Sequence, residues 1–349
     1  MSVPPTAAEA AWHTAPRGPV SEAVATALLN HTPPPAAPCA EAADAADPWG
    51  EDLHLALYLL YELHYRGLPG VADDREWDPA LLGLRAALEQ RFVTALEDAL
   101  PCDRTVAEAF APLLVETAGG AGGISAALVA GGTLRQVREY AVLRSPYQLK
   151  EADPQAWGIP RLTGRAKAAF VAVEYDEFGA GHPEAIHARL FADLMVDLGL
   201  DPAYNHYLGH VPAPALATVN LMSLFGLHRA WRGALVGHFA CVETTSSPGS
   251  KRMVRALTAC GAGPAAIRFY AEHVTADAVH EQVVRHEVVG GLLEEEPDLE
   301  PQVAFGCDAT VLLEARLAEH VLTAWNRNET ALRRPLPEGP EEGAGHSSG

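Results

Sequence analysis

Between Leu53 and Asn328 the apolar residues recur at intervals of three and four, stretch after stretch. The stretches LHLALYLLYELHY (53–65), ALLGLRAALEQRFVTALEDAL (80–100), RTVAEAFAPLLVETA (104–118) and TLRQVREYAVLRS (133–145) read this way. So do 165–178, 183–200, 215–243, 253–261, 264–289 and 302–328. That period places apolar side chains on one face of a helix, and the alternation that would mark half-buried strands is almost absent. The chain is therefore expected to be all-α, a bundle of nine or ten helices. Punctuation agrees: GLDPAY should close one helix at Gly199 and open another after Asp201, with Pro202 in its first turn. TSSPGS (245–250) reads as a break.

The ends differ from the middle. Residues 1–47 are rich in Ala and Pro, including HTPPPAAPCAEAADAADP, which predicts a mobile arm. The stretch RRPLPEGPEEGAGHSSG predicts a disordered tail over 335–349. The helical domain is expected over 48–334, and no internal repeat is visible. Lys and Arg number 25 against 45 Asp and Glu, a net charge of −20. A surface so acidic repels phosphate backbones and anionic lipid heads, so neither nucleic acid nor membrane is an expected partner. No apolar run is long enough to span a bilayer, and MSVPPTAAEAAWHTAPRG lacks the pattern of a secretory signal. The five cysteines, widely spaced and without C-x-x-C, read as reduced thiols of a cytoplasmic protein. GGAGGIS (119–125) reads as a loop, and the absence of G-x-S-x-G leaves a serine hydrolase without support.

One stretch resists a packing explanation. In RFYAEHVTADAVHEQVV (268–284), His273, Asp277 and His280 fall within about 60° of one another on a helical wheel. Their neighbours on that stripe are Phe269, Tyr270, Ala276 and Val284. Two imidazoles and a carboxylate on an apolar stripe are costly unless paired with one another or bound to a cation. A hydrogen-bonded ladder and a metal site are both open on this stretch alone. Glu184 and His187 form Glu-x-x-His, an i, i+3 pair of the kind bundles project inward to hold metal. Glu177 would share that face if one helix ran through Gly179, Gly181 and Pro183. Glu151 in YQLKEADPQAW and Glu243 in HFACVETTSS are further candidates. Glu243 closes a very apolar helix at the unfavourable end of its dipole. His54, His64, His206, His210, His228 and His238 read as core or surface histidines, with His238 near enough to Glu243 to support it.

The order of these elements, a Glu, then Glu…His, then Glu, then His-x3-Asp-x2-His, resembles the haem-oxygenase-like di-iron oxidases and oxygenases over about 145–330. YELHYRG (61–67) is similar to the actinobacterial branch of that family. The resemblance implies a haem-oxygenase-like helical bundle. It implies Glu151, Glu177 or Glu184, His187, Glu243, His273, Asp277 and His280 as metal ligands. It also implies two irons per chain, cycling between Fe(II) and Fe(III), with Mn as a substitute. A shell of three histidines and several carboxylates suits Fe(II) or Mn(II) better than Ca, Mg or structural Zn. Two such ions about 3.5–4 Å apart can bind O2 between them. The implied activity is O2-dependent oxidation of a small organic substrate (amino acid, amine or fatty acid type) by N-oxygenation, desaturation or C–C cleavage. An electron donor or reductase would supply reducing equivalents, the setting would be specialised metabolism, and a homodimer is one assembly such a chain could adopt. Rival readings are a same-fold metal- or ligand-binding protein without turnover, a true haem oxygenase, and a thiaminase-like hydrolase with Cys241 as nucleophile.

Overall fold

A computed structural model describes residues 14–32, 36–101, 103–115 and 123–337, with only the backbone described at 36–40 and at Thr275, Asp277 and Ala278. Among these residues every regular element is helical. In chain order they are α1 (Pro19–Leu29), α2 (Ala36–Ala45), α3 (Glu51–Glu62), α4 (Pro79–Ala99), α5 (Val106–Phe110), α6 (Ile124–Gly131) and α7 (Leu134–Gln148). Then follow α8 (Asp153–Ala156), α9 (Gly164–Glu177), α10 (His187–Asp197), α11 (Ala213–Leu227), α12 (Arg232–Ala259) and α13 (Pro264–Val283). The π-helical stretch Val284–Val289, α14 (Gly290–Glu295) and α15 (Glu300–Asn326) complete the chain.

The apolar pattern fixes the layers. α11, buried on nearly every side from Ala213 to Gly226, runs through the centre with α3, α12 and α15 around it. α12 and α15 approach closely because glycines face backbone at their crossing. A Cβ on Gly237 would lie 1.9 Å from the Val303 carbonyl oxygen, and one on Gly306 would lie 2.1 Å from that of Ala234. α13 lies along α12 and so brings its histidine stripe beside Glu243.

Four expectations need correction. The N-terminal arm is in part a docked helix: Val20, Val24 and Leu28 of α1, one turn apart, are buried against α3. Asp52 of α3 caps that helix, its carboxylate accepting from Val20 N at 3.0 Å and Ser21 N at 2.7 Å. The break at TSSPGS does not occur. α12 runs through Pro248, and Thr244 and Thr245 hydroxyls bond back to the Ala240 and Cys241 carbonyls just before it. Gly199 ends α10 as expected, in the left-handed region, but Pro202 opens no helix, and the next α-helix starts at Ala213. In the 104–118 stretch only α5 is helical among the described residues. Residues 1–13 and 338–349, and so most of the expected tail, lie outside the described residues.

Candidate metal centre

Glu177 is the last residue of α9, and the ten residues after it return the chain to His187, the first residue of α10. Gly179, Ala180 and Gly181 all take left-handed φ angles and fold the link back. The turn is too tight for a side chain at its first position, since a Cβ on Gly179 would stand 2.7 Å from the Ile186 nitrogen. His187 is thereby held with Nδ1 2.7 Å from Glu177 Oε2. The helix expected to carry Glu184 and His187 together begins only at His187. Glu184 sits in a short 3-10 turn, its side chain 75% exposed and 3.7 Å from His182. Glu184 therefore stands outside the cluster, and of the two alternatives Glu177 is the carboxylate beside His187.

Glu151 follows α7 in a turn that includes Ala152 at φ +75°. Two interactions behind it hold that turn. Arg66 donates to the Leu149 carbonyl at 2.9 Å. Lys150, 0% exposed, is ion-paired to Glu62 and lies 4.1 Å from the centre of the Tyr65 ring. Tyr204 completes the pair by donating to Glu62 Oε2 at 2.7 Å. On the other side, the Gln148 amide nitrogen, turned toward the carboxylate, reaches Glu151 Oε1 at 2.7 Å and Oε2 at 3.0 Å.

His273 and His280 lie two turns apart on α13 and face different parts of the site. His273 Nδ1 is 2.7 Å from the Phe269 carbonyl. A carbonyl only accepts, so Nδ1 carries a hydrogen, and Nε2, the nitrogen left to face the site, lies 3.5 Å from Glu151 Oε1. His280 Nδ1 is 3.4 Å from Glu243 Oε2 and 3.6 Å from Glu177 Oε1, and its Nε2 is 3.2 Å from Asp176 Oδ2. The backbone of Asp277 belongs to α13, but its side chain lies outside the described residues.

Two donor groups result, both buried. One atom each of Glu151, Glu177, His187 and His273 lie within 4.8 Å of one another, and so do atoms of Glu177, Glu243 and His280. Glu177 belongs to both, with Oε2 turned to His187 and Oε1 to His280. Donors about 2.1 Å from a common ion stand roughly 3–4 Å apart, so each group needs only a small contraction to close on one. Mixed nitrogen and oxygen donors without thiolate fit iron or manganese. The histidines and carboxylates of the cluster shift one another's titration. Burial works against charge on His280, but Glu243, then Asp176 and Glu177, outweigh it and raise its pKa to about 9. His187 is raised against the same burial by its bond to Glu177. Burial and the nearby Glu177 raise Glu243 despite His280.

The site also holds a carboxylate that pattern reading passed over. Glu174, one turn before Glu177, is 2% exposed and neither oxygen has a hydrogen-bond partner among the described residues. Burial, then repulsion from Glu177 and Glu243, pushes its pKa well above the usual carboxylate range, which favours its neutral form. Its i, i+3 spacing to Glu177 was the available signal, obscured by the run of acids in VEYDEF. Three other expectations change. Glu243 does not end a helix but sits inside α12, so burial, not the dipole, is what its charge must overcome. His238 turns away from the cluster and hydrogen-bonds Thr310 Oγ1 at 2.8 Å through Nδ1. Cys241 is buried, and its contact with Cys307, then burial, pushes its thiol well above the usual range, which opposes the thiolate a hydrolase would need.

The helical bundle thus buries a carboxylate-rich double donor site of the kind that can hold metal. Residues 138–315 match the family of iron-containing redox enzymes, and the chain belongs to that family. It is similar to the nitrosourea synthase of Streptomyces achromogenes subsp. streptozoticus, 25% identical over 297 residues that cover 79% of this chain and 63% of that protein. The chain thus matches less than two thirds of that relative's length. The buried His/Glu cluster is compatible with iron binding. No helix among the described residues is long and apolar enough to cross a membrane.

Proposed function

We propose that this protein is a non-haem di-iron, O2-dependent oxidase or oxygenase acting on a small organic substrate. The observation that carries the reading is Glu177, one carboxylate facing two buried donor groups with a different oxygen to each. Glu151, His187 and His273 would hold one iron, Glu243, Asp277 and His280 the other, and Glu177 would bridge. Bound iron would supply the electrons and Lewis acidity for O2 activation, with an external electron donor or reductase returning it to the ferrous state. The protein's own share is positional. The Glu62–Lys150 pair fixes the turn that aims Glu151, the Phe269 carbonyl holds the His273 ring through Nδ1, and Phe239, which lines the small cavity beside Glu151, Glu177 and Glu243, gives the site an apolar wall. A relative whose name describes the making of a nitrosourea, a product bearing oxidised nitrogen, favours N-oxygenation among the outcomes open to such a centre.

The test is anaerobic Fe(II) loading followed by metal analysis and O2 uptake. Near two irons per chain, lost from both positions in Glu177→Ala and retained in Glu184→Ala, is the expected result. Full iron retention in Glu177→Ala would refute the shared-carboxylate reading.

A further inference from the structure

A pocket of about 20 Å³ is lined by residues of both donor groups, Glu151, Glu177, Glu243 and His273. A water-sized sphere needs about 10–15 Å³, so the pocket takes one or two light atoms and no organic substrate. A larger cavity of about 420 Å³ stands beside it, lined by Glu151 and His273 but not by Glu177 or Glu243. Tyr147, Val242 and Ser246 belong to both walls without being candidate ligands, and of these only Tyr147 and Ser246 have a polar group to offer.

The pocket is rich in acceptors and poor in donors. Both oxygens of Glu174 and the Oε1 of Gln155, residues that also line it, are buried without a hydrogen-bond partner among the described residues. Tyr147 is the exception. Its oxygen accepts from Gln155 Nε2 at 3.2 Å, and among the described residues its own hydrogen has no acceptor. The phenol is 6% exposed, so that hydrogen has little solvent to turn to. Gln155, on α8 and 1% exposed, holds the oxygen in place. Ser246 is half-buried, and no hydrogen bond among the described residues holds its hydroxyl. A buried donor left unspent costs about 1–3 kcal/mol, a cost that a ligand in the pocket would remove.

Resting on the di-iron reading, we propose that Tyr147 is a catalytic residue whose hydroxyl donates to the small ligand, O2 or an anion in its place, that occupies this pocket beside the metal pair. Gln155 is the positioning residue that aims it. A fixed donor at that place favours the negative charge that gathers on O2 as it takes up electrons. The same phenol borders the larger cavity, so the donor stands where the space for a diatomic ligand meets the space for a substrate.

The experiment is titration of sodium azide into the iron-loaded, air-oxidised full-length protein, read by the azide-to-iron visible band and by the infrared stretch of bound azide. Tyr147→Phe should keep its iron but bind azide about 10- to 100-fold more weakly, the range for a hydrogen bond to a charged group, with a shifted stretch. Gln155→Leu, with the phenol intact, should give a smaller loss and an intermediate stretch, and Ser246→Ala should match wild type. Unchanged affinity and stretch in Tyr147→Phe would overturn the inference, and so would the loss appearing in Ser246→Ala instead. Tighter azide binding in Gln155→Leu would also overturn it, because the Tyr147 hydrogen would then have been spent on the Gln155 oxygen. The two readings fail differently. Two irons per chain with azide binding indifferent to Tyr147→Phe defeats this inference alone. A wild-type protein with no iron and no azide band defeats the di-iron reading, and this one with it.

Discussion

Gly237→Ala tests whether the crossing of α12 and α15 is as tight as the glycines imply. The new Cβ would start 1.9 Å from the Val303 carbonyl oxygen and 2.8 Å from its carbon. A tolerable carbon-to-oxygen contact is about 3.3 Å, so one helix must move by about 1.4 Å. The obstacle is backbone on a 27-residue helix, not the tip of a rotatable side chain, so no rotamer change relieves it. Overpacking of this kind costs about 1–3 kcal/mol. Against that, alanine gains about 1 kcal/mol over glycine as a helix former. With the obstacle being backbone, the net is a loss of up to about 2 kcal/mol. Gly249→Ala on the same helix is the control, because nothing lies within 4 Å of its Cβ, and there propensity alone should act. Urea unfolding of the metal-free proteins reads both, with Gly237→Ala less stable than wild type and Gly249→Ala equal or more stable. Glu243 follows Gly237 by six residues, so iron uptake should also weaken in the first variant and not in the second. Gly237→Ala as stable as Gly249→Ala would refute the close crossing.

Other outcomes follow from buried charge. His238 is held neutral with its pKa depressed to about 4 by burial, so the unfolded chain binds a proton at a pH where the folded one does not. Its contribution is complete above about pH 6.5 and shrinks as pH falls toward 4, which amounts to about 2 kcal/mol between pH 7.5 and 5. Wild type should therefore lose about that much stability relative to His238→Leu on acidification, read by urea unfolding at the two pH values, and a constant difference would contradict a buried neutral imidazole. Lys150→Met should cost about 3–5 kcal/mol by leaving Glu62 charged and buried. The double variant Lys150→Met/Glu62→Met should recover most of it, and a purely additive loss in the unfolding curves would show that the pair is not coupled. Glu174→Gln swaps a neutral acid for a neutral amide, so the metal-free protein should change by less than about 1 kcal/mol. A larger loss in the same assay would mean that Glu174 is ionised.

The periodic stretches announced α3, α4, α7, α9 and α13 to within a few residues, because burial of one helical face leaves a repeat in the sequence. What stayed hidden has particular causes. Val20, Val24 and Leu28 repeat correctly, but the prolines around them pointed to an arm, and the carboxylate that caps their helix belongs to Asp52, far along the chain. Pro248 signalled a break that long-range packing of α12 overrides. At the site, the stripe of His273 and His280 was legible since both lie on one helix. The choice of Glu177 over Glu184 was not, because it depends on three left-handed residues whose angles no pattern encodes. Glu174 left only its i, i+3 spacing to Glu177, lost in a run of acids. It matters through what surrounds it, and only the packed bundle supplies that.

The donor residues are spread over a long reach of chain. From Glu151 to His280 is 280 − 151, or 129 residues, and Glu177 is useful only when both flanking groups exist. At about 5–20 residues per second a ribosome takes roughly 6–26 s to make that stretch. No fragment released before α13 emerges can offer either complete pocket. The nascent chain therefore has nothing with which to choose between metals, and any choice would fall to the finished bundle.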